Sequence, residues 1–308
     1  MLLSIIVPCY NEEQVVALFY QEAIKHILAC NMDYEILFVN DGSKDQTLQE
    51  CLKLKEKDPH IVVVDFSRNF GKEAAMLAGL REAKGDYVVI MDSDLQDPPS
   101  LLPQMVNLLN SDTCDSVATY RVNRKGEPLI RSFFARSFYK LINKFTEVEI
   151  VDGARDYRMM KRQMVNAIID LPEYQRFSKG IFTWVGFRSQ YLEYENIQRV
   201  AGETKWSFFK LVKYAIEGIV AYTTAPLRLA TVIGILMSIV GFSFMLFIVI
   251  KAIFFGDPVA GYPSMIVVIS LIGGIQLLVL GVLGEYLAKT YMETKRRPNY
   301  IIKKRYDE

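Results

Sequence analysis

The sequence predicts an α/β fold: a doubly wound open sheet in the first two thirds of the chain, then a hairpin of two transmembrane helices. Three observations carry this. Apolar runs alternate with helical patterns through roughly the first 120 residues, a polar loop follows four of those runs in turn, and the stretch 229–288 carries very few charges.

The strand candidates are Leu3–Val7, Glu35–Asn40, Ile61–Phe66, Asp86–Met91 and Ser116–Tyr120. Several are unbroken Ile/Val/Leu runs, the pattern of strands covered on both faces of a parallel sheet. Met1-Leu-Leu-Ser-Ile-Ile-Val-Pro8 has no basic n-region and too short an apolar run for a signal peptide, so it reads as the first buried strand. Helical patterns fill the gaps between strands. Ser43-Lys-Asp-Gln46 has the capping-box form, with Ser43 as the predicted N-cap. Such a βαβ alternation binds ligands at the carboxyl ends of its strands.

The informative residues sit at those ends. Pro8-Cys-Tyr-Asn-Glu12 follows the first strand, Asn40-Asp-Gly-Ser43 the second, Ser67-Arg-Asn-Phe-Gly71 the third and Asp92-Ser-Asp-Leu-Gln-Asp-Pro98 the fourth. Any one of them is an ordinary turn sequence. Their coincidence at successive strand ends points to one site.

Residues 122–228 are less regular. Arg131–Phe145 reads as a basic amphipathic helix, with Phe134, Phe138, Leu141 and Phe145 on one stripe and Arg136, Lys140 and Lys144 on another. Lys205–Lys213 has the same character. Such helices can lie in an anionic membrane interface; the alternative is a surface helix packed on the core.

Leu229–Ile250 is uncharged and flanked by Arg228 and Lys251, and Pro263–Gly284 is a second run of similar length. About 22 residues at 1.5 Å rise reach roughly 33 Å, enough for the hydrocarbon core. Basic residues flank the outer ends, whereas the loop between has only Lys251 at its edge. By the positive-inside rule both termini face the cytoplasm. The predicted organisation is therefore a cytoplasmic catalytic domain over 1–228, helices over about 229–251 and 263–285, and a basic cytoplasmic tail over 289–308. The localisation expected is the inner or plasma membrane, multi-pass.

Charge excludes one class of function. Lys+Arg total 36 against 35 Asp+Glu, so no basic excess exists for nucleic acid. Cys9, Cys30, Cys51 and Cys114 lack metal-ligand spacing, and His26 and His60 are isolated, which argues against a zinc site or a His-based triad. Phe66 stands where a P-loop needs glycine, and no GxGxxG follows the first strand.

Asp92-Ser-Asp94 carries the chemistry. Two carboxylates one residue apart can hold a hard divalent cation between themselves and a diphosphate, since Mg²⁺ takes few protein carboxylates and completes its shell with phosphate oxygens and water. Such a cation stabilises charge building on a leaving nucleoside diphosphate.

Pro8-Cys-Tyr-Asn-Glu12, Asn40-Asp-Gly-Ser43, Asp92-Ser-Asp-Leu-Gln-Asp97 and Gly153-Ala-Arg-Asp-Tyr-Arg158 together resemble the family 2 glycosyltransferases of GT-A fold. Within them the chain is most similar to the polyprenyl-phosphate glycosyltransferases, which include bactoprenol glucosyltransferases and dolichol-phosphate mannose synthases. The resemblance covers nearly the whole chain, including the two-helix anchor. It implies a Rossmann-like nucleotide-sugar domain and inverting transfer of a hexose, from UDP-glucose or UDP-N-acetylglucosamine, to polyprenyl (undecaprenyl) phosphate, for cell-envelope glycosylation. It implies Mg²⁺ or Mn²⁺ at Asp92, Asp94 and Gln96. Pro8, Tyr10, Glu12, Asp41, Asp92 and Arg121 would bind the donor, Arg131 the acceptor phosphate, and Asp156, with Asp94, would act in catalysis; the basic Arg176-Phe-Ser-Lys179 segment adds Arg176 as a second candidate for the acceptor phosphate. The bland alternative for Arg121 and Arg131 is a solvated charge, and for Asp156 a salt bridge with Arg155 or Arg158. Asn40 departs from the two aspartates many relatives have there.

An acceptor phosphate monoester has its second pKa near 6, so it needs little deprotonation at neutral pH. Asp156 would then position as much as act as a base. Partners expected are a nucleotide sugar, a polyprenyl phosphate and the membrane, with a homo-oligomer, dimer or tetramer, able to cover the apolar anchor. The other readings are a mannose synthase using GDP-mannose, a membrane polysaccharide synthase and, last, a non-catalytic scaffold. A Gln-x-x-Arg-Trp motif and further spans would mark the synthase; only Lys205-Trp206 is vaguely similar.

Overall fold

The computed structural model describes residues 1–121, 154–194, 225–255 and 261–307. The amphipathic segments over 131–145 and 205–213, and with them Arg131, lie outside the described residues. The chain forms two compact units, Met1–Val212 with Arg297–Glu308, and Lys213–Arg296.

In the first unit the elements run β1 (Leu2–Cys9), α1 (Val16–Leu28), β2 (Asp33–Asn40), α2 (Thr47–Lys57), β3 (Ile61–Phe66), α3 (Lys72–Glu82), β4 (Tyr87–Ile90), a 3₁₀ turn (Pro99–Leu101), α4 (Leu102–Asn110) and β5 (Ser116–Arg121). Then come β6 (Ala154–Lys161), α5 (Arg162–Ile169), α6 (Ser178–Trp184) and β7 (Ser189–Tyr194). One mixed sheet has the order β7-β5-β6-β4-β1-β2-β3, closed at its far edge by β8 (Ile302–Tyr306). β4, β1, β2 and β3 are parallel, while β6 runs antiparallel to both β4 and β5.

The two-residue period of β1 builds both faces. Leu3, Ile5 and Val7 join a buried cluster with Phe19 and Ile27 of α1 and Met105 of α4. Ile6 points the other way, under α3, where Gly79 gives it room: a Cβ there would stand 2.2 Å from the Ile6 methyl. Helices therefore cover both faces, which is why the strands read as continuous apolar runs. After β3 the chain crosses back to place β4 on the other side of β1. The switch point between β1 and β4 is where such a sheet opens a crevice.

Two expectations change. Gln46, not Ser43, precedes the first turn of α2, and no side-chain cap is made there. The Ser43 hydroxyl instead accepts the Asn11 N–H at 3.0 Å, and Asp45 accepts the Thr47 N–H at 3.0 Å. A hydroxyl used to join two loops is unavailable as a cap. The second change is at the C-terminus, read from its charges as a tail. Residues 302–306 form β8, antiparallel to β3, with Val63 opposite Tyr306 and Phe66 opposite Ile302. Lys303, Lys304 and Arg305 lie exposed along it, the composition that keeps an edge strand from pairing further.

In the second unit, α7 covers Ala225–Phe255 and α8 covers Tyr262–Thr294. Both outrun the predicted spans, because hydropathy marks where a membrane could begin and good helix formers such as those in Glu285-Tyr-Leu-Ala-Lys289 continue the helix past it. Among the described residues one segment, Leu271–Thr294, is long and apolar enough to cross a membrane, and Leu229–Phe244 is a shorter apolar one. Leu236, Phe242, Leu277 and Leu280 are each more than half exposed.

Candidate active site

The loop after β1 is zipped to the loop after β2. Asn11, at φ +54°, accepts the Lys44 N–H at 2.9 Å, Thr47 Oγ1 accepts the Glu12 N–H at 2.8 Å, and Glu13 accepts the Gln46 N–H at 2.8 Å. Asp41 N–H donates to the Cys9 carbonyl at 2.9 Å. Pro8, Tyr10, Glu12 and Asp41 are thus gathered at the carboxyl ends of neighbouring strands.

Asp41 is buried and committed to the next loop. Its carboxylate accepts the Phe70 N–H at 2.6 Å, the Gly71 N–H at 2.9 Å and the Asn69 amide at 3.0 Å. Burial raises its pKa, and those two N–H groups oppose the rise. Gly42 sits at φ +61°, where a Cβ would meet the Arg68 carbonyl carbon at 2.3 Å, so only glycine lets the two backbones meet. Asn40 also finds its reason here. It lies level with buried Asp65 in the parallel register, and its amide donates to Asp65 Oδ1 at 2.7 Å. A second aspartate would set two carboxylates side by side in a buried place.

Asp92 follows β4. The register that pairs Ile90 with Arg158 brings Asp156, on β6, level with it. Between them stands Lys72, first residue of α3. Its Nζ lies 2.7 Å from Asp92 Oδ1 and 2.9 Å from Asp92 Oδ2, and 2.7 Å from Asp156 Oδ2. Partial withdrawal from water favours the neutral forms, but the mutual attraction wins: the Lys72 pKa rises and that of Asp156 falls well below the carboxylate range, helped by Lys179. The lysine thus favours the ionised form of Asp156.

Its ion pair is with Lys72 and not with Arg155, which as the adjacent strand residue faces the other way, nor with Arg158, which shares its face but is committed elsewhere. Arg155 reaches Asp97 at 3.4 Å. Buried Arg158 donates to the Ser116 and Ser189 hydroxyls, both at 3.0 Å, and lies 4.9 Å from the Phe182 ring centroid.

Asp94 accepts the Gln96 N–H at 3.1 Å around Leu95, which sits at φ +57°. The far end of this loop is pinned by Asp97, which also accepts the Tyr194 hydroxyl at 2.5 Å. No group of three or more His, Cys, Asp or Glu side chains forms a metal cage among the described residues. Two carboxylates on one loop suit Mg²⁺ or Mn²⁺ shared with a diphosphate, and do not suit a closed zinc site.

Arg121 ends β5. Arg176 donates from its two terminal nitrogens to the carbonyls of Leu171 and Ile168, both at 3.0 Å, holding the end of α5. Glu73, beside Lys72, accepts the Ser178 N–H at 3.1 Å and the Ser178 hydroxyl, so it holds the start of α6. Burial, then the nearby Asp156 charge, pushes its pKa up to about 7. Lys72 and Glu73 escaped sequence reasoning, and Asp97 was read only as part of its motif. The signal for the first two was their place directly after the loop of the third strand.

Residues 4–169 match the family described as Glycosyl transferase family 2, more than half of the chain. The chain is a family 2 glycosyltransferase. The α/β half of this glycosyltransferase, a mixed sheet between helix layers, has the GT-A type of architecture. It is 41% identical to the prophage bactoprenol glucosyl transferase homolog of Escherichia coli K12, over 99% of each chain. It is 41% identical to the bactoprenol glucosyl transferase of Shigella phage SfX, over 99% of this chain and 100% of the other. The uncharacterized glycosyltransferase sll0501 of Synechocystis is 40% identical over 97% and 94%. Among solved structures, glucosyl-3-phosphoglycerate synthase of M. tuberculosis aligns at 18% identity with a TM-score of 0.47, over 71% of this chain and 78% of that one.

Proposed function

We propose that this glycosyltransferase moves a hexose from a nucleotide-diphosphate sugar, UDP-glucose or UDP-N-acetylglucosamine, to polyprenyl phosphate, with inversion. The observation that carries the reading is the pairing of Asp92, on the donor loop, with Asp156, on the next strand, through a single lysine. The full-length likeness to proteins named bactoprenol glucosyl transferase supports the lipid acceptor and supports glucose as one donor sugar to test.

Pro8, Tyr10, Glu12, Asp41 and Arg121 would take the nucleoside end, and Asp92, Asp94 and Gln96 would hold Mg²⁺ or Mn²⁺ with the diphosphate. That cation supplies charge stabilisation for the departing diphosphate. The acceptor phosphate oxygen forms a bond to the anomeric carbon as the bond from that carbon to the β-phosphate oxygen breaks. The electron pair leaves with the nucleoside diphosphate. A dianionic acceptor brings no proton to remove. Ionised Asp156 orients the acceptor and balances the local cations, and holding the reactants in line is the main contribution of the site. Arg131 and Arg176 would draw the acceptor phosphate in. Arg176 already serves two carbonyls, so its share in acceptor binding competes with that role.

The strand β8 bears on topology. It pairs with β3 in the same compact unit as the N-terminal residues, so both lie on one side of any membrane. This supports an even number of crossings, as a hairpin of α7 and α8 would make, and the basic flanks support a cytoplasmic catalytic unit.

Lipid-dependent release of nucleoside diphosphate tests the reaction. Purified protein with Mg²⁺ and the right donor should release UDP only when undecaprenyl phosphate is added, and Asp94→Ala should lower that rate at least about a hundredfold. Release indifferent to the lipid would count against the acceptor.

A further inference from the structure

Lys72 does more than balance charge. Its ammonium contacts both oxygens of Asp92 at 2.7 and 2.9 Å, so it lies across the face that a divalent cation would use. A Mg²⁺ ion binds carboxylate oxygen at about 2.0–2.1 Å. Seated on Asp92 it would stand only a few ångström from a fixed positive charge. The same ammonium holds Asp156 at 2.7 Å, which fixes it from the other side. Burial of its neighbour Glu73 against Ser178 locks the first turn of α3 in place, so Lys72 is not on a mobile segment.

We propose that Lys72 is a positioning residue that bars a divalent cation from Asp92 in the empty enzyme and admits it only together with a nucleoside diphosphate. A diphosphate carries enough negative charge to serve both cations. Lys72 can then face phosphate oxygen or Asp156 while Asp92 turns to the metal; its side chain is 42% exposed, so a phosphate can reach it. Metal binding thus becomes coupled to nucleotide binding, with no metal held on Asp92 alone. The inference rests on the assignment of Asp92 to the metal site.

The test is Mn²⁺ binding, followed through the electron paramagnetic resonance signal of free Mn²⁺, on full-length protein in detergent. Wild type should bind Mn²⁺ weakly alone and tightly with UDP or GDP. Lys72→Gln should bind Mn²⁺ without nucleotide about tenfold or more tightly than wild type, because a unit positive charge within a few ångström has gone. Lys72→Arg should keep the wild-type pattern. General damage to the site weakens metal binding, so a gain separates this role from a structural one. Lys72→Met, which keeps the stem, carries the same test should the glutamine variant lose its thermal transition. Nucleotide-dependent binding in wild type with no gain in either neutral variant would overturn the inference and leave the metal site standing. No Mn²⁺ binding by any of the proteins, with UDP or GDP present, would overturn both.

Discussion

Glu73 is the residue whose charge the fold controls most directly. It accepts the Ser178 N–H and hydroxyl while lying near the Asp156 carboxylate, and burial pushes its pKa up to about 7 from an ordinary 4.5. A raised carboxyl pKa means that the folded state holds a proton the unfolded state has released. Its stabilising share is complete below about pH 4.5 and is lost as pH rises to about 7. Glu73→Gln keeps the shape and an acceptor for Ser178 but cannot ionise. Relative to wild type, its unfolding free energy should therefore climb between pH 5 and pH 8 by at most about 3 kcal/mol, read as a rising thermal midpoint. A difference that stays flat across that range would show that Glu73 is not held protonated. Asp156 works in the opposite sense. Its pKa lies below the carboxylate range, so its share is present at neutral pH and is lost only in strong acid. None of this coupling was legible in the sequence. The DxD was, because both carboxylates sit on one short loop, and so was Asp156, within a recognisable motif. Lys72 meets Asp92 and Asp156 across 20 and 84 residues, and nothing local marks such a bridge.

Among the elements, the five early strands were legible because sheets covered on both faces need continuous apolar runs. Strand β6 was hidden by its charge: Arg155, Asp156 and Arg158 each serve a partner, and a polar strand has no apolar period to read. Strand β8 was hidden for a related reason, since only Ile302 and Tyr306 at its ends are half-buried. It is nonetheless fastened. The Ser67 N–H donates to the Ile301 carbonyl at 3.0 Å, and Tyr300 stacks on Phe66 with centroids 5.1 Å apart and planes 8° from parallel. Asn299 donates to the Tyr174 carbonyl at 2.8 Å. Tyr300→Ala should cost about 1–3 kcal/mol, from lost area and the lost ring pair. Thermal unfolding of the full chain would show it. An unchanged midpoint would mean that the strand adds nothing to the sheet.

For the whole molecule, β8 joins two levels. A strand that follows the apolar helices in the chain completes the sheet that precedes them. The family membership supplies the glycosyl transfer, and the lipid phosphate acceptor is the proposal to be tested. The measurement closest to that claim is transfer of label into lipid. Purified protein would be given Mg²⁺ or Mn²⁺, undecaprenyl phosphate and, one at a time, radiolabelled UDP-glucose, UDP-N-acetylglucosamine and GDP-mannose. We predict label in the organic phase from one donor, and none when the polyprenyl phosphate is omitted. Folded, metal-binding protein that leaves every donor's label in the aqueous phase would contradict the lipid acceptor.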